Sequence, residues 1–171
     1  GELIWNKKLD YLPVHGSGAS PVIVEHLLLL STDGSVDPCL VALNKKNGDI
    51  IWKANRDSKA KKNFSFCTPL VIKMRGETQI ISPASDYVFA YDLNGNQLWK
   101  FNYPNGYSVV PRPVFDQGII YVSSGYDSPV LYAIRCGGRG DITEKNLVWK
   151  TRKAAPRNSS VVVVEGLLFM A

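Results

Sequence analysis

Three short stretches set an aspartate among small polar residues. "STDGSVD" carries Asp33, "SPASDYV" carries Asp86, and "SSGYDSPV" carries Asp127 with Tyr126 beside it. Carboxylates, a phenol and hydroxyls gathered in one place could hold a polar ligand by hydrogen bonds. Arg112, fixed between Pro111 and Pro113, adds a planar cation suited to carboxylate or phosphate. Arg112, Asp86, Asp127, Tyr126 and Asp33 are therefore the candidate ligand-binding residues. The same serines and aspartates have a second use, because both residue types end strands by bonding to their own neighbouring backbone.

Catalysis has no comparable constellation. The sequence contains no nucleophile elbow, no HExxH pair and no phosphate-cradling glycine loop. His15 and His26 fall on loops of different sides and form no pair. Cys39, Cys67 and Cys136 stand far apart, are odd in number and include no CxxC, which argues against a zinc site or a disulfide framework. Buried or half-buried thiols are expected instead. No catalytic residue and no metal ligand is assigned. "GRGD", Gly138 to Asp141, contains an adhesion tripeptide, but three residues match often by chance, and a polar hairpin insertion is the expected structure.

Whether the candidate residues meet depends on the elements that carry them. The four tryptophans, Trp5, Trp52, Trp99 and Trp149, recur at intervals of about 47 to 50 residues, the period of a repeat array. The openings "SPVIV", "TPLVI", "RPVFD" and "SSVVV" keep the same beat. Each unit reads as four short strands, such as "SPVIVEH", "LLLLST", "PCLVALN" and "GDIIWKA", with no 3.6-residue apolar spacing. Gly48, Gly95, Gly118 and Gly166 stand where hairpins turn.

These signals predict an all-β fold, a β-propeller of four-stranded antiparallel blades forming one domain over residues 1–171. Residues 1–10 end one blade, 18–55, 66–103 and 110–152 are blades, and 158–171 are the first strands of the next. That is about three and a half units, whereas closed propellers use about four to eight blades. The chain thus reads as an incomplete ring. The remaining blades are expected from the parent chain or from a self-associated copy. Because open strand edges invite pairing, the chain alone is expected to be unstable or self-associated.

The frame A-x-D-x-x-x-G-x-x-x-W resembles the tryptophan-docking motif of the PQQ-like, quinoprotein-type β-propeller repeat family. It is closer to that family's non-catalytic outer-membrane assembly lipoproteins than to its dehydrogenases. The copy from Ala42 to Trp52 has Asn44 for the aspartate and Asn47 before the glycine. The copy from Ala90 to Trp99 keeps Asp92 and is one residue shorter, and the copy from Ala133 to Trp149 contains the insertion "RCGGRGDITEKN". The resemblance implies that Trp5, Trp52, Trp99 and Trp149 dock one blade on the next, with Gly48 and Gly95 in the receiving turns. Burying an indole of about 200 Å² stabilises by about 5 kcal/mol before entropy.

The resemblance also implies a periplasmic or otherwise exported, bacterial protein, although this sequence contains no signal peptide. No cofactor is expected from the non-catalytic members. The dehydrogenases hold PQQ and calcium with a vicinal cysteine pair, acidic and amide side chains and an aspartate base. Here no cysteines are adjacent, and "DLNGN" only faintly echoes a calcium loop.

The strand assignment sorts charges by face. Links between second and third strands, and links between blades, emerge together, and they carry most of the basic residues, including Lys53, Arg56, Lys59, Lys61, Lys62, Arg112, Lys150 and Arg152. The net charge of +5 is therefore one-sided. Such a face draws anionic partners, so a protein or an anionic ligand is expected there. Nucleic acid is disfavoured because no stacking aromatics interleave "SKAKK". "VVVVEGLLFMA" is too short to span a membrane and is broken by Glu165. The expected function is a non-catalytic scaffold for protein–protein or ligand binding. The alternatives are a segment of a PQQ-dependent dehydrogenase whose cofactor residues lie outside this chain, and a component handling polysaccharide or sugar.

Overall fold

Runs of leucine, valine and isoleucine separated by tight turns favour antiparallel meanders, since each hairpin returns the chain beside itself. The structure, a computed structural model describing residues 1–171, contains three complete ones. Blade one is β1 (Val22–Val24), β2 (Leu27–Ser31), β3 (Cys39–Asn44) and β4 (Ile50–Asn55), paired in sequence order. Blade two is β5 (Leu70–Met74), β6 (Glu77–Pro83), β7 (Tyr87–Tyr91) and β8 (Gln97–Asn102). Blade three is β9 (Val114–Asp116), β10 (Ile119–Ser123), β11 (Leu131–Arg135) and β13 (Leu147–Thr151). A further hairpin, β14 (Val162–Val164) with β15 (Leu167–Phe169), follows. These stacked meanders make the chain all-β, with propeller blades as its unit. No helix is long and apolar enough to cross a membrane.

The blades pack through opposite faces of single strands. On β7, Phe89 and Tyr91 face blade one, joining a cluster with Leu27, Leu29 and Leu40. The intervening Val88 and Ala90 join the cluster with Phe101, Ile120, Val122 and Tyr132 of the blade two and blade three seam. A strand's side chains alternate, and both faces of β7 are covered by sheet. The strand is therefore apolar throughout, with no polar alternation to mark it in the sequence.

The alanine and tryptophan of the repeating frame are cross-strand partners. Ala42 pairs Trp52, Ala90 pairs Trp99 and Ala133 pairs Trp149, and each ladder shifts register at the next residue of the third strand. A methyl group opposite an indole leaves the ring free to lie over toward the following blade, and the bulge re-aims it.

The insertion of blade three is not a hairpin. Gly140–Asp141 forms β12, which pairs parallel with β8 at Trp99 and Lys100 and gives blade two a fifth strand. The four-residue helix α1 (Thr143–Asn146) returns the chain to β13. The tripeptide at Arg139 to Asp141 is consumed by this strap. Arg139 pairs with Glu77 at 2.7 Å, and the Asp141 carboxylate accepts from the Thr143 backbone N–H at 3.0 Å and from its hydroxyl at 2.6 Å.

Candidate functional site

The links that carry Lys59 to Lys62, Pro104 to Tyr107 and Asp127 to Val130 meet at the seam between blades two and three. There they enclose a cavity of about 940 Å³. Phe101, Val130, Tyr132 and Leu147 supply its apolar walls; Lys59, Lys61, Lys62, Lys150 and Arg152 supply its cations; Asp86 and Asp127 are its acids. Strand register places these groups: Lys150 on β13 lies directly opposite Tyr132 on β11, so both project from one face of blade three. The Tyr132 ring meets Phe101 of blade two edge to face, with centroids 5.6 Å apart. Burial raises the Tyr132 phenol above its ordinary range, against the pull of Arg152.

Loop backbone fixes the other wall. Asp86 sits at φ 65° and Asn105 at φ 64°, left-handed conformations that Asp and Asn tolerate best after glycine. The Asp86 N–H donates to Gly106 O at 2.7 Å, while the Asp86 carbonyl accepts from Tyr103 N at 2.8 Å and from Asn102 Nδ2 at 2.9 Å. Tyr107 is held by a bridge to Gly125 and by Tyr126 N donating to its carbonyl at 3.2 Å. Its hydroxyl donates to the Asp127 carboxylate. Lys62 Nζ lies 3.8 Å from the same carboxylate and 3.8 Å from the Tyr107 ring centroid. Hydrogen bonding with Tyr107 holds the Lys62 ammonium above its ordinary value, with Asp127 adding to the effect.

Of the five candidate ligand-binding residues, the structure brings Asp86 and Asp127 to one cavity. The outer strands β8, β11 and β13 wall that cavity, and the innermost β5 and β9 do not. Tyr126 is exposed next to Asp127 with the Arg157 guanidinium 5.9 Å from its ring. Arg112 stands apart, its backbone N–H donating to Ser160 Oγ at 2.9 Å. In the corresponding place two blades earlier, Ser20 N donates to Thr68 Oγ1 at 2.9 Å. Arg112 thus occupies a position that elsewhere carries a hydroxyl linking adjacent blades.

Asp33 is corrected from mouth residue to core residue. Both its oxygens are taken by Arg56, Nε donating to Oδ1 at 2.8 Å and Nη2 to Oδ2 at 2.9 Å. Arg56 also donates to Ser82 Oγ at 2.8 Å, so it leaves the surface field to which the sequence assigned it. Burial pushes the Asp33 carboxyl up while Arg56 pulls it down. A fully hydrogen-bonded buried pair of this kind fastens blade one to blade two.

The tryptophans divide into three situations. Trp5 Nε1 donates to Lys45 O at 3.1 Å and Trp52 Nε1 to Leu93 O at 2.9 Å, each ring lying on the third-hairpin turn of the following blade. Gly48 and Gly95 make that approach possible, with φ of 76° and 82°, because a Cβ would stand 2.6 Å and 2.7 Å from the indole. Trp99 is 0% exposed, donates to Gln79 Oε1 at 3.0 Å and has the β12 strap alongside. Trp149 is 40% exposed and packs on Tyr121 with ring centroids 5.9 Å apart.

Residue chemistry alone missed the Lys62–Tyr107 pair and the aromatic floor. "SKAKK" has no aromatic within it; the ring under Lys62 comes from a link 45 positions away. The three thiols are all buried and free. Burial raises Cys67 most, and pushes Cys136 up to about 11.

Among solved structures, the chain is similar to BamB from Moraxella catarrhalis, with 16% identity and a TM-score of 0.56 over 96% of this chain and 45% of that one. It is also similar to a europium-containing methanol dehydrogenase, with 17% identity and a TM-score of 0.57 over 80% of this chain and 24% of that one. The chain thus spans less than half the length of either structure, and the likeness is one of fold. No curated protein matches the sequence. The family described as outer membrane protein assembly factor BamB matches over residues 1–171, the whole chain, and the chain belongs to that family.

Proposed function

We propose that this chain is a non-catalytic propeller scaffold that binds an anionic partner, a protein foremost, on its basic face. The observation that carries the reading is the cavity of about 940 Å³, where five cationic side chains stand against two carboxylates. One of those carboxylates, Asp127, is already engaged by Tyr107 and Lys62. A concave site with an unbalanced positive rim attracts anions and speeds their encounter. The family name supports a protein-assembly setting and, with it, an exported, periplasmic location.

Two titrations test this. Binding of anionic polymers, poly-glutamate and a sulfated polysaccharide, is expected and is expected to weaken as salt rises; no binding of either at low salt removes the scaffold reading. Adding pyrroloquinoline quinone and Ca²⁺ is expected to leave the quinone's absorbance spectrum unchanged. A saturable spectral shift would move the protein to the dehydrogenase class.

A further inference from the structure

The cavity at the seam has a floor and a rim of different chemistry. Phe101, Val130, Tyr132 and Leu147 form an apolar and aromatic floor. Lys59, Lys61 and Lys62 reach it from the link between blades one and two, and Lys150 and Arg152 from the outer strand of blade three and the residues just after it. We propose that this cavity receives an acidic peptide segment, with one bulky apolar side chain on the floor and carboxylates on either side against the rim. The proposal rests on the scaffold reading above and names its partner.

Three observations select a peptide. The volume of about 940 Å³ holds an indole or phenyl group together with flanking backbone, and buried aromatic anchors carry most of the affinity of peptide and protein sites. The face of Tyr107 is covered by Lys62 Nζ at 3.8 Å, so that ring is not free to stack a base or sugar and the anchor falls to the floor. β13, which contributes Leu147 and Lys150 to the cavity, is the last strand of its sheet. Its outer edge presents unpaired backbone N–H and C=O groups, which an extended peptide matches in register and a glycan or nucleic acid does not. Blade two shows that such an edge accepts an extended segment, since β8 carries β12.

The rim charges set the sign of the partner. Lys62 is held over the Tyr107 ring and beside the Asp127 carboxylate, both at 3.8 Å, while Lys59, Lys61, Lys150 and Arg152 form no ion pair. Acidic side chains flanking an anchor meet cations supplied to the rim from two separate elements.

The test uses the full chain and a fluorescent twelve-residue probe of alternating glutamate and serine with one central tryptophan. Saturable binding is expected. Its Kd should rise at least tenfold in each of three cases: glycine replaces the tryptophan, Leu147→Glu charges the floor, or Lys150→Ala and Arg152→Ala are combined. Lys62→Ala, at an exposed position, guards against a folding artefact and should weaken binding several-fold. Lys45→Ala with Lys46→Ala, on the opposite face, should change nothing. Equal affinity for the glycine probe overturns the anchor and with it the proposal. Binding of sulfated polysaccharide or single-stranded DNA without binding of the peptide overturns the proposal and leaves the scaffold reading standing. Failure of every anionic probe overturns both.

Discussion

Arg56 and Asp33 meet end to end, guanidinium to carboxylate, with side chains only 1% exposed. Arg56 lies just past the last strand of blade one, and Asp33 between that blade's second and third strands. The Ser82 and Tyr91 hydroxyls that also bond Arg56 belong to blade two. Phe89 of blade two lies 5.6 Å from the guanidinium. The charged contact itself lies within blade one, and the Arg56 bonds to Ser82 and Tyr91 carry it across the seam to blade two.

Removing one partner of this pair strands a buried charge. Asp33→Ala or Arg56→Ala is expected to cost about 3–5 kcal/mol, measured by denaturant unfolding. Replacing both, Asp33→Leu with Arg56→Met, should recover most of that loss, because the desolvation cost disappears with the charges. If either single substitution leaves the midpoint within experimental error of the parent, the pair does not fasten the blades.

A second relationship couples a turn to an indole. At Gly95 the backbone has φ 82° and a Cβ would come within 2.7 Å of Trp52. Gly95→Ala is expected to destabilise by about 1–3 kcal/mol through backbone strain and overpacking. Trp52→Ala removes the ring and the clash together, so the double variant should be more stable than the sum of the two single effects. Additive losses in a double-mutant cycle would separate the turn from the indole.

The blades themselves were legible because the alanine and tryptophan of each copy are neighbours in one ladder, and a local pairing with a bulge leaves a local signature. The insertion was not. Its residues "GRGD" look like any polar turn, and the two-residue parallel ladder to β8 depends on a strand about 40 positions earlier. Asp33 and Arg56 misled for the same reason, since nothing within either stretch distinguishes a surface charge from one half of a buried pair 23 residues apart. The cavity combined both cases. Its lysines showed in the sequence, but Tyr107, Tyr132 and Phe101 come from three separate elements that only blade stacking brings together.

The thiols offer a probe of seam opening. Cys67 is 0% exposed, and Cys136, pushed up to about 11, shares Gln79 with Trp99 at the strap. At pH 8 a group titrating near 11 is thiolate in only about one molecule in 10³. Ellman-type labelling of the folded chain is expected to be slow and to become complete on unfolding, with Cys136 reacting before Cys67 when the strap loosens. Immediate labelling of all three thiols in the native state would contradict the burial described.

The strap should loosen in acid, and the direction follows from Asp141. Its carboxyl lies below the ordinary 3.8 because the Thr143 hydroxyl and then the Thr143 backbone N–H donate to it. A depressed folded value means that the contribution is fully present above about 3.8 and is lost as pH falls through the lower folded value. The same segment hands on two further bonds, Ile142 N to Lys100 O at 3.0 Å and Asn102 N to Thr143 Oγ1 at 2.9 Å. Protonating Asp141 therefore frees Thr143 and weakens the hold on β8. Protection factors for the Ile142 and Asn102 amides are expected to drop between pH 5 and pH 2.5 while those of β3 stay constant. Thr143→Val should give the low-pH protection already at pH 5. Protection at these two amides that is flat across the range, or that falls in step with β3, would show that Asp141 does not hold the strap.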